Sequence, residues 1–169
     1  IIANPSSGKD IRRLVSHSRL ISNQEKINII RRILTGLEAS GIEKVVLMPD
    51  SSNLSLTATS EYGGSLEVEV LSMPVLNRDL DTTRAAEIMS KIEVAAIIVL
   101  GGDGTSRAAS KQLGEVPLMA VSTGTNNVFP YLIEGTLAGL ATGFVASRLP
   151  DLDKGMKEIK ELITPINCK

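Results

Sequence analysis

The stretch VAAIIVLGGDGT, residues 94–105, joins an unbroken apolar run to a turn that contains three glycines. An apolar run of this length suits a strand that is buried on both faces, and it is too short to cross a membrane. The glycines Gly101, Gly102 and Gly104 permit close approaches that side chains would block. We therefore predict a central strand of a parallel sheet, followed by a tight turn and a helix.

The same alternation of short apolar runs and longer helical stretches extends along the chain in both directions. It is typical of β-α-β units, so we predict an α/β domain with a parallel sheet. Strands are predicted at residues 1–4, 45–48, 66–71, 94–100 and 117–121. Helices are predicted at residues 24–39, 54–62, 82–91, 105–113 and 134–146. Asn23 and Asp81 are the predicted N-caps of the first and third helices, and the alternating 66–71 segment is predicted to be an edge strand.

Composition limits the classes of function that the chain could serve. Of its 169 residues, 43% are hydrophobic, 22% are charged and 2% are aromatic, and the net charge is -1. This profile is typical of a globular domain and lacks the basic surface and stacking aromatics of nucleic-acid-binding proteins. Cys168 is the single cysteine, so no internal disulfide can form and a cytoplasmic location is expected. No apolar run is long enough to span a membrane.

Three polar, glycine-containing loops each follow a predicted strand. They are residues 4–9 (Asn-Pro-Ser-Ser-Gly-Lys, the first loop), residues 101–105 (Gly-Gly-Asp-Gly-Thr, the second loop) and residues 122–127 (Ser-Thr-Gly-Thr-Asn-Asn, the third loop). The carboxyl ends of parallel strands meet at one edge of a sheet, and ligands bind there. We therefore expect the three loops to form one site.

The second loop predicts a phosphate site, because glycine backbone and a helix N-terminus both favour anions. Asp103 would repel phosphate unless it holds Mg²⁺ or accepts a proton. The alternative is that Asp103 simply caps the following helix. In the third loop, Asn126 and Asn127 could read a nucleotide through their amides or could cap the turn.

Two common nucleotide-binding fingerprints do not fit. A Walker A loop needs glycine where Ala3 stands and a hydroxyl residue where Asp10 stands, so Lys9 is not a lysine of that type. A dinucleotide fingerprint needs glycine at the position of Arg107, which argues against hydride transfer. His17 has no partner motif and is predicted to be a surface residue.

The motifs Asn4-Pro-Ser-Ser-Gly-Lys, Leu100-Gly-Gly-Asp-Gly-Thr and Ser122-Thr-Gly-Thr-Asn-Asn-Val-Phe-Pro resemble those of the NAD kinase and diacylglycerol kinase superfamily. Within it, the chain is most similar to the ATP-NAD-kinase-like proteins of acetoin catabolism, from residue 1 to about residue 148. The resemblance implies a three-layer α/β/α domain over residues 1–150 with strand order 3-2-1-4-5-6. It also implies that residues 151–169 lead toward a β-rich C-terminal domain that this chain does not contain.

The resemblance further implies phosphoryl transfer from ATP, with Mg²⁺, to a hydroxyl of NAD. It assigns Asp103 to catalysis, acting on the acceptor hydroxyl or on the metal. The implied nucleotide-binding residues are Asn4, Pro5, Ser6, Ser7, Gly8, Lys9, Gly101, Gly102, Gly104, Thr105, Thr123, Gly124, Thr125, Asn126 and Asn127.

Two departures from the family pattern leave alternatives open. Lipid-kinase relatives carry Asn-Asp where this chain has Asn126-Asn127, and the missing C-terminal domain would complete the acceptor site. A kinase of a lipid or another small alcohol is one alternative. A non-enzymatic, nucleotide-binding accessory protein of acetoin catabolism is another. The expected partners are a nucleotide and a small acceptor, with no nucleic acid and no membrane, and assembly into a homo-oligomer is left open.

Overall fold

A computed structural model describes residues 1–7, 21–123 and 127–148. Strands and helices alternate along the described chain, as the sequence predicts. The strands are β1 (Ile2–Ala3), β2 (Lys44–Leu47), β3 (Glu67–Val70), β4 (Ile97–Gly101) and β5 (Leu118–Ser122). The helices are α1 (Asn23–Ala39), α2 (Leu54–Ser60), α3 (Asp79–Lys91), α4 (Asp103–Ser110) and α5 (135–148).

The paired strands are all parallel, which confirms the predicted α/β class. They form a three-stranded sheet in the order β1-β4-β5 and a two-stranded sheet, β2-β3. Ile1 connects the two sheets, because its N–H donates to Val46 O and its carbonyl accepts from Met48 N at 2.9 Å. Beyond β5, Tyr131 makes a single parallel bridge with Val121. The implied order 3-2-1-4-5-6 is therefore not confirmed as one continuous sheet, and within the described ranges no sixth strand is formed.

Apolar side chains of the strands alternate between two cores. One core places Ala3, Leu100 and Val121 against α1. The other places Ile2 and Val99 against α3 and α4. Helices therefore lie on both faces of the strands. β4 is buried along its whole length, as predicted for the central strand, whereas β3 is half exposed, as predicted for an edge.

Glycines bring α5 into direct backbone contact with α1. A Cβ on Gly139 would lie 2.3 Å from the carbonyl oxygen of Ile33 and 3.0 Å from the Cα of Gly36. A Cβ on Gly135 or Gly143 would also clash with the α1 segment or with Ser40. The predicted close packing of this small-residue helix is thus confirmed.

Both predicted N-caps were wrong. Ser22 caps α1, because its Oγ accepts from Glu25 N at 3.1 Å, and Asn23 is already the first helical residue. Asp81 lies at the third position of α3, where its carboxylate accepts from Leu76 N at 2.9 Å and Arg78 N at 3.3 Å. Several neighbouring residues are suitable caps in each case, and the approach of the preceding chain decides which one is used.

Candidate functional site

Asn4 joins the first loop to the second. Its backbone N–H donates to Leu100 O at 3.1 Å, which keeps Asn4 in line with β4. Its side chain then makes two contacts: Oδ1 accepts from Ser6 N at 2.9 Å, and Nδ2 donates to Thr105 Oγ1 at 3.0 Å. The structure therefore brings these two predicted loops together through one amide side chain.

Ser7 joins the first loop to the third. Thr123 Oγ1 donates to Ser7 Oγ at 2.8 Å, and Ser7 Oγ donates to Asn4 O at 2.7 Å. Thr123 is almost completely buried, and its backbone N–H donates to Gly101 O at 3.1 Å. All three loops thus meet at the carboxyl edge of β1, β4 and β5, as the sequence predicts.

Lys26 of α1 lies directly behind the first loop. Its side chain is fully buried, and Nζ donates to Asn4 O at 3.2 Å, Pro5 O at 2.8 Å and Ser7 O at 2.7 Å. Sequence reasoning missed this residue. A signal was present, because Lys26 falls on the same helical face as Ile30 and Ile33, where a lysine is rarely buried without partners.

The three glycines of the second loop differ in the space around them. A Cβ on Gly101 would lie 2.6 Å from the Thr105 side chain, and one on Gly102 would lie 2.9 Å from Asn127 Oδ1. A Cβ on Gly104 would meet nothing within 4 Å, and this residue is exposed. A Cβ at Gly101 would meet the branched carbon of Thr105, one at Gly102 would displace the end of the Asn127 side chain, and one at Gly104 would meet nothing. The start of α4 at Gly104 is therefore open to an approaching molecule.

The N-terminus of α4 differs from those of α1, α2 and α5; like α3, it has an N-cap residue that makes no side-chain cap hydrogen bond. The first turns of α1, α2 and α5 each donate to a side chain, namely Ser22, Asp50 and Glu134. α4 is preceded by Gly102, and no side chain of the described residues accepts from its first turn. Unsatisfied N–H groups at a helix start carry partial positive charge. This terminus can therefore accept an anion.

Asp103 is turned away from its own helix. Its carboxylate accepts from Val128 N at 3.1 and 3.0 Å and from Phe129 N at 2.9 Å. These N–H groups hold the pKa of Asp103 below its ordinary value because they stabilise the charged form, and the N–H of Phe129 has the larger effect. Gly102, not Asp103, is the N-cap residue of α4, so the interpretation of Asp103 as that cap was wrong.

Asn127 takes part in the turn that follows β5. Its Nδ2 donates to Ser122 Oγ at 2.7 Å, and its Oδ1 faces Gly102. This geometry favours the turn-forming alternative for Asn127. Several predicted positions lie outside the described residues: Gly8, Lys9, His17, Gly124, Thr125, Asn126, Cys168 and the segment 151–169.

Large apolar side chains are exposed beside Asp103. Val128 is 90% exposed, Phe129 57%, Tyr131 73% and Leu132 71%. Asp103 holds the backbone of the first two of these residues, so the carboxylate and the apolar side chains belong to one surface.

Two cavities lie at opposite ends of the strands. A small one of about 70 Å³ is lined by Asn4, Pro5 and Ser6 of the first loop and by Arg78 and Asp79 at the start of α3. A larger one of about 440 Å³ lies at the amino end, around Val45 and Ile98, and no predicted site residue lines it. Of these two cavities, the small one adjoins the first loop. Arg78, which the sequence analysis did not single out, lies in its lining beside the carboxylates of Asp50, Asp79 and Asp81.

A site built entirely of protein ligands for a metal is not found in the described ranges: no group of three or more His, Cys, Asp or Glu side chains comes together there. Within the same ranges no helix is both long enough and apolar enough to cross a bilayer.

Comparison with known proteins identifies relatives of the chain. The family described as ATP-NAD kinase N-terminal domain matches residues 1–148. The chain is 44% identical over 158 residues to a protein of Cupriavidus necator named "Acetoin catabolism protein X". The match covers 89% of this chain and 44% of that relative, so the chain spans less than half of the relative's length. No solved structure matches.

Proposed function

The chain belongs to the family of ATP-NAD kinase N-terminal domains, and we propose that it binds ATP where the three loops meet and serves transfer of the γ-phosphoryl group to a hydroxyl of NAD. The observation that carries this proposal is the open N-terminus of α4, which begins after Gly102 and is joined to the other two loops by the Asn4–Thr105 and Thr123–Gly101 hydrogen bonds. A partial positive charge of about half an elementary charge is expected at a helix N-terminus. Phosphate is the biological anion that most often uses this arrangement.

The first loop is proposed to complete the nucleotide site. Asn4 and Ser7 connect it to Thr105 and Thr123 through buried or half-buried hydrogen bonds, so the loop is fixed before a ligand arrives. Fixed donors do not need to be ordered on binding, which favours affinity.

Asp103 is proposed to orient the attacking hydroxyl. In the transfer, the acceptor oxygen bonds to the γ-phosphorus as the bond to the bridging oxygen breaks and ADP leaves. Such transfer depends mainly on positioning and charge, and little on a strong base. A carboxylate whose pKa is lowered is ionised at neutral pH and accepts a hydrogen bond from the hydroxyl. The hydroxyl proton passes to solvent water as the new oxygen–phosphorus bond forms.

The described residues are better suited to a magnesium ion that binds together with the nucleotide than to one that the protein holds by itself. Kinases commonly hold Mg²⁺ through one or two carboxylates together with the substrate's phosphates, and when bound it neutralises their charge. Asp103 is the carboxylate of the second loop that could share such an ion. Like Asp50 and Asp81, Asp103 accepts hydrogen bonds from backbone N–H groups, so such an ion would have to share its carboxylate with Val128 and Phe129.

Two other functions each have one observation in their favour. The exposed side chains of Val128, Phe129 and Leu132 beside Asp103 would suit an apolar acceptor, which favours a lipid or another alcohol. The engagement of both Asp103 oxygens by backbone N–H groups would suit an accessory protein that binds nucleotide without turnover. The name of the Cupriavidus relative refers to acetoin catabolism and does not state an activity.

One experiment separates these functions. Full-length protein is incubated with ATP, Mg²⁺ and NAD, and NADP is quantified by chromatography beside the variant Asp103→Asn. NADP formation that requires Asp103 supports the NAD kinase. ATP consumption that appears only with diacylglycerol or another alcohol supports the first alternative, and ATP binding without consumption supports the second. Absence of ATP binding by calorimetry would reject all three.

A further inference from the structure

We propose that Lys26 is a positioning residue for the first loop: its buried ammonium holds three loop carbonyls on one side, so that the other side of the loop is shaped for the nucleotide. This inference rests on the proposed nucleotide site and adds to it a residue outside the three loops.

Three carbonyl oxygens of the first loop surround the ammonium group of Lys26 at hydrogen-bond distance. Nζ of Lys26 lies 3.2 Å from Asn4 O, 2.8 Å from Pro5 O and 2.7 Å from Ser7 O. The three acceptors lie 19 to 22 residues before Lys26 in the chain, so tertiary folding creates the contact. An ammonium has three N–H donors, and successive carbonyls of one short loop converge on it.

Packing alone does not account for a charge at this position. Lys26 has no solvent exposure, and removal of an ammonium from water is unfavourable unless good acceptors surround it. An apolar side chain of similar length would fill the same volume without that cost. The charged group is therefore better explained by what it does to the first loop than by its contribution to the core.

The position of Lys26 behind the first loop links it to the small cavity. That cavity is lined by Asn4, Pro5 and Ser6, and Lys26 is not among the residues that line it. Lys26 therefore holds the backbone that forms one wall of the cavity without reaching into it.

Lys26 also supports both junctions of the first loop. Asn4 O, one of its acceptors, belongs to the residue whose side chain contacts Thr105, and Ser7 O belongs to the residue that contacts Thr123. Loss of the ammonium would remove one donor from a carbonyl on each residue at once, and Asn4 O would keep its hydrogen bonds from Ser7. The effect should therefore reach the second and third loops through Asn4 and Ser7.

The test compares Lys26→Met with Gly139→Ala in the full-length protein. The glycine variant disturbs α1 two to three turns from Lys26 and so reports what loss of stability alone does. We expect the ATP Kd, measured by calorimetry, to rise at least tenfold in Lys26→Met and less than twofold in Gly139→Ala. Lys91→Met, which removes an exposed lysine, should leave the Kd unchanged. Equal Kd values for Lys26→Met and Gly139→Ala would overturn the inference.

Two measurements keep the inference testable if Lys26→Met folds poorly or if ATP does not bind. In wild-type protein, the Lys26 ammonium should give slowly exchanging NMR signals that shift on ATP addition, while those of Lys91 do not shift. An unshifted Lys26 signal in protein that binds ATP would overturn the inference. Without any nucleotide, amide exchange of residues 4–7 should be faster in folded Lys26→Met than in wild type. Unchanged exchange rejects the positioning role, whereas failure of wild type to bind ATP rejects only the proposed function.

Discussion

The first loop and the segment 127–131 are both tied to the second loop, but by different kinds of contact. The first loop is held by the side chains of Asn4, Ser7 and Lys26, in contacts that are buried or partly buried. The segment 127–131 is held mainly through its backbone, by the partly exposed carboxylate of Asp103. The side chains of Val128, Phe129 and Tyr131 face solvent.

This difference indicates which side of the site is rigid. Buried polar networks are rigid when every member is satisfied, and they are costly to disturb. Hydrogen bonds that water can replace are remodelled easily. We therefore expect the first loop to govern nucleotide affinity and the segment 127–131 to govern what happens to the acceptor, so that substitutions should change binding and turnover separately.

The largest effect is expected for Asp103→Ala in active full-length protein. Loss of a group that orients the attacking hydroxyl should lower kcat roughly 10²–10⁴-fold, whereas the ATP Kd should change only modestly because the first loop is untouched. Steady-state kinetics and calorimetry measure the two quantities. Asp103→Asn is the matched control for the charge, because its amide oxygen can still accept a hydrogen bond from Phe129 N but the side chain is neutral. An unchanged kcat would show that Asp103 only holds the segment 127–131.

Gly139→Ala should reduce stability without acting on either side of the site. The added Cβ would lie 2.3 Å from Ile33 O and 2.9 Å from Leu37 N, and these backbone atoms cannot move aside as the end of a side chain can. Overpacking of this kind costs about 1–3 kcal/mol, measurable by urea denaturation. Gly104→Ala is a suitable control for a glycine in open space. Equal stability of wild type and Gly139→Ala would mean that α5 does not pack on α1 as described.

The elements of this fold could be predicted because their signals are local. β4 is apolar at every position and is buried throughout; Gly135, Gly139 and Gly143 predicted a close helix contact, which is present. The meeting of the three loops also followed from a general property of parallel sheets. Periodicity and sheet geometry were sufficient for these features.

The remaining features depend on distant partners that no local pattern identifies. Lysine is normally exposed, so Lys26 could be assigned only once the carbonyls of the first loop were in place. Asp103 fits a helix cap equally well by sequence, and its N–H donors lie 25 and 26 residues further along the chain. The same holds for the capping of α1 by Ser22 rather than Asn23, where the choice depends on the approach of the preceding chain.

Thr105→Val should weaken nucleotide binding and leave kcat nearly unchanged. Valine keeps the shape of threonine but removes the acceptor for Asn4 Nδ2, and an unsatisfied buried donor costs about 1–3 kcal/mol. We expect the ATP Kd to rise about tenfold, which corresponds to about 1.4 kcal/mol. Thr105→Ser keeps the hydroxyl and should bind ATP nearly as wild type does. A larger fall in kcat than in affinity would contradict the assignment of the first loop to binding.

The smallest expected effect is a difference between the first loop and the segment 127–131 in how their amide signals change as the pH falls. The pKa of Asp103 is lowered in the folded protein, chiefly by the N–H of Phe129. Its hydrogen bonds therefore contribute stability above the ordinary carboxyl pKa of 3.8, and this contribution is lost as pH falls through the lower, folded value. The amide signals of Val128 and Phe129 should shift with a midpoint below 3.8.

The amide of Ser6 provides the comparison, because it donates to the neutral side chain of Asn4 and should not follow this titration while the protein stays folded. In Asp103→Asn the signals of Val128 and Phe129 should lose their titration as well, since no ionisable group remains there. A midpoint at or above the ordinary value would mean that the two N–H groups do not hold the carboxylate in solution. In that case the segment 127–131 would be free of the second loop, and Asp103 would be available to a ligand without displacing any protein contact.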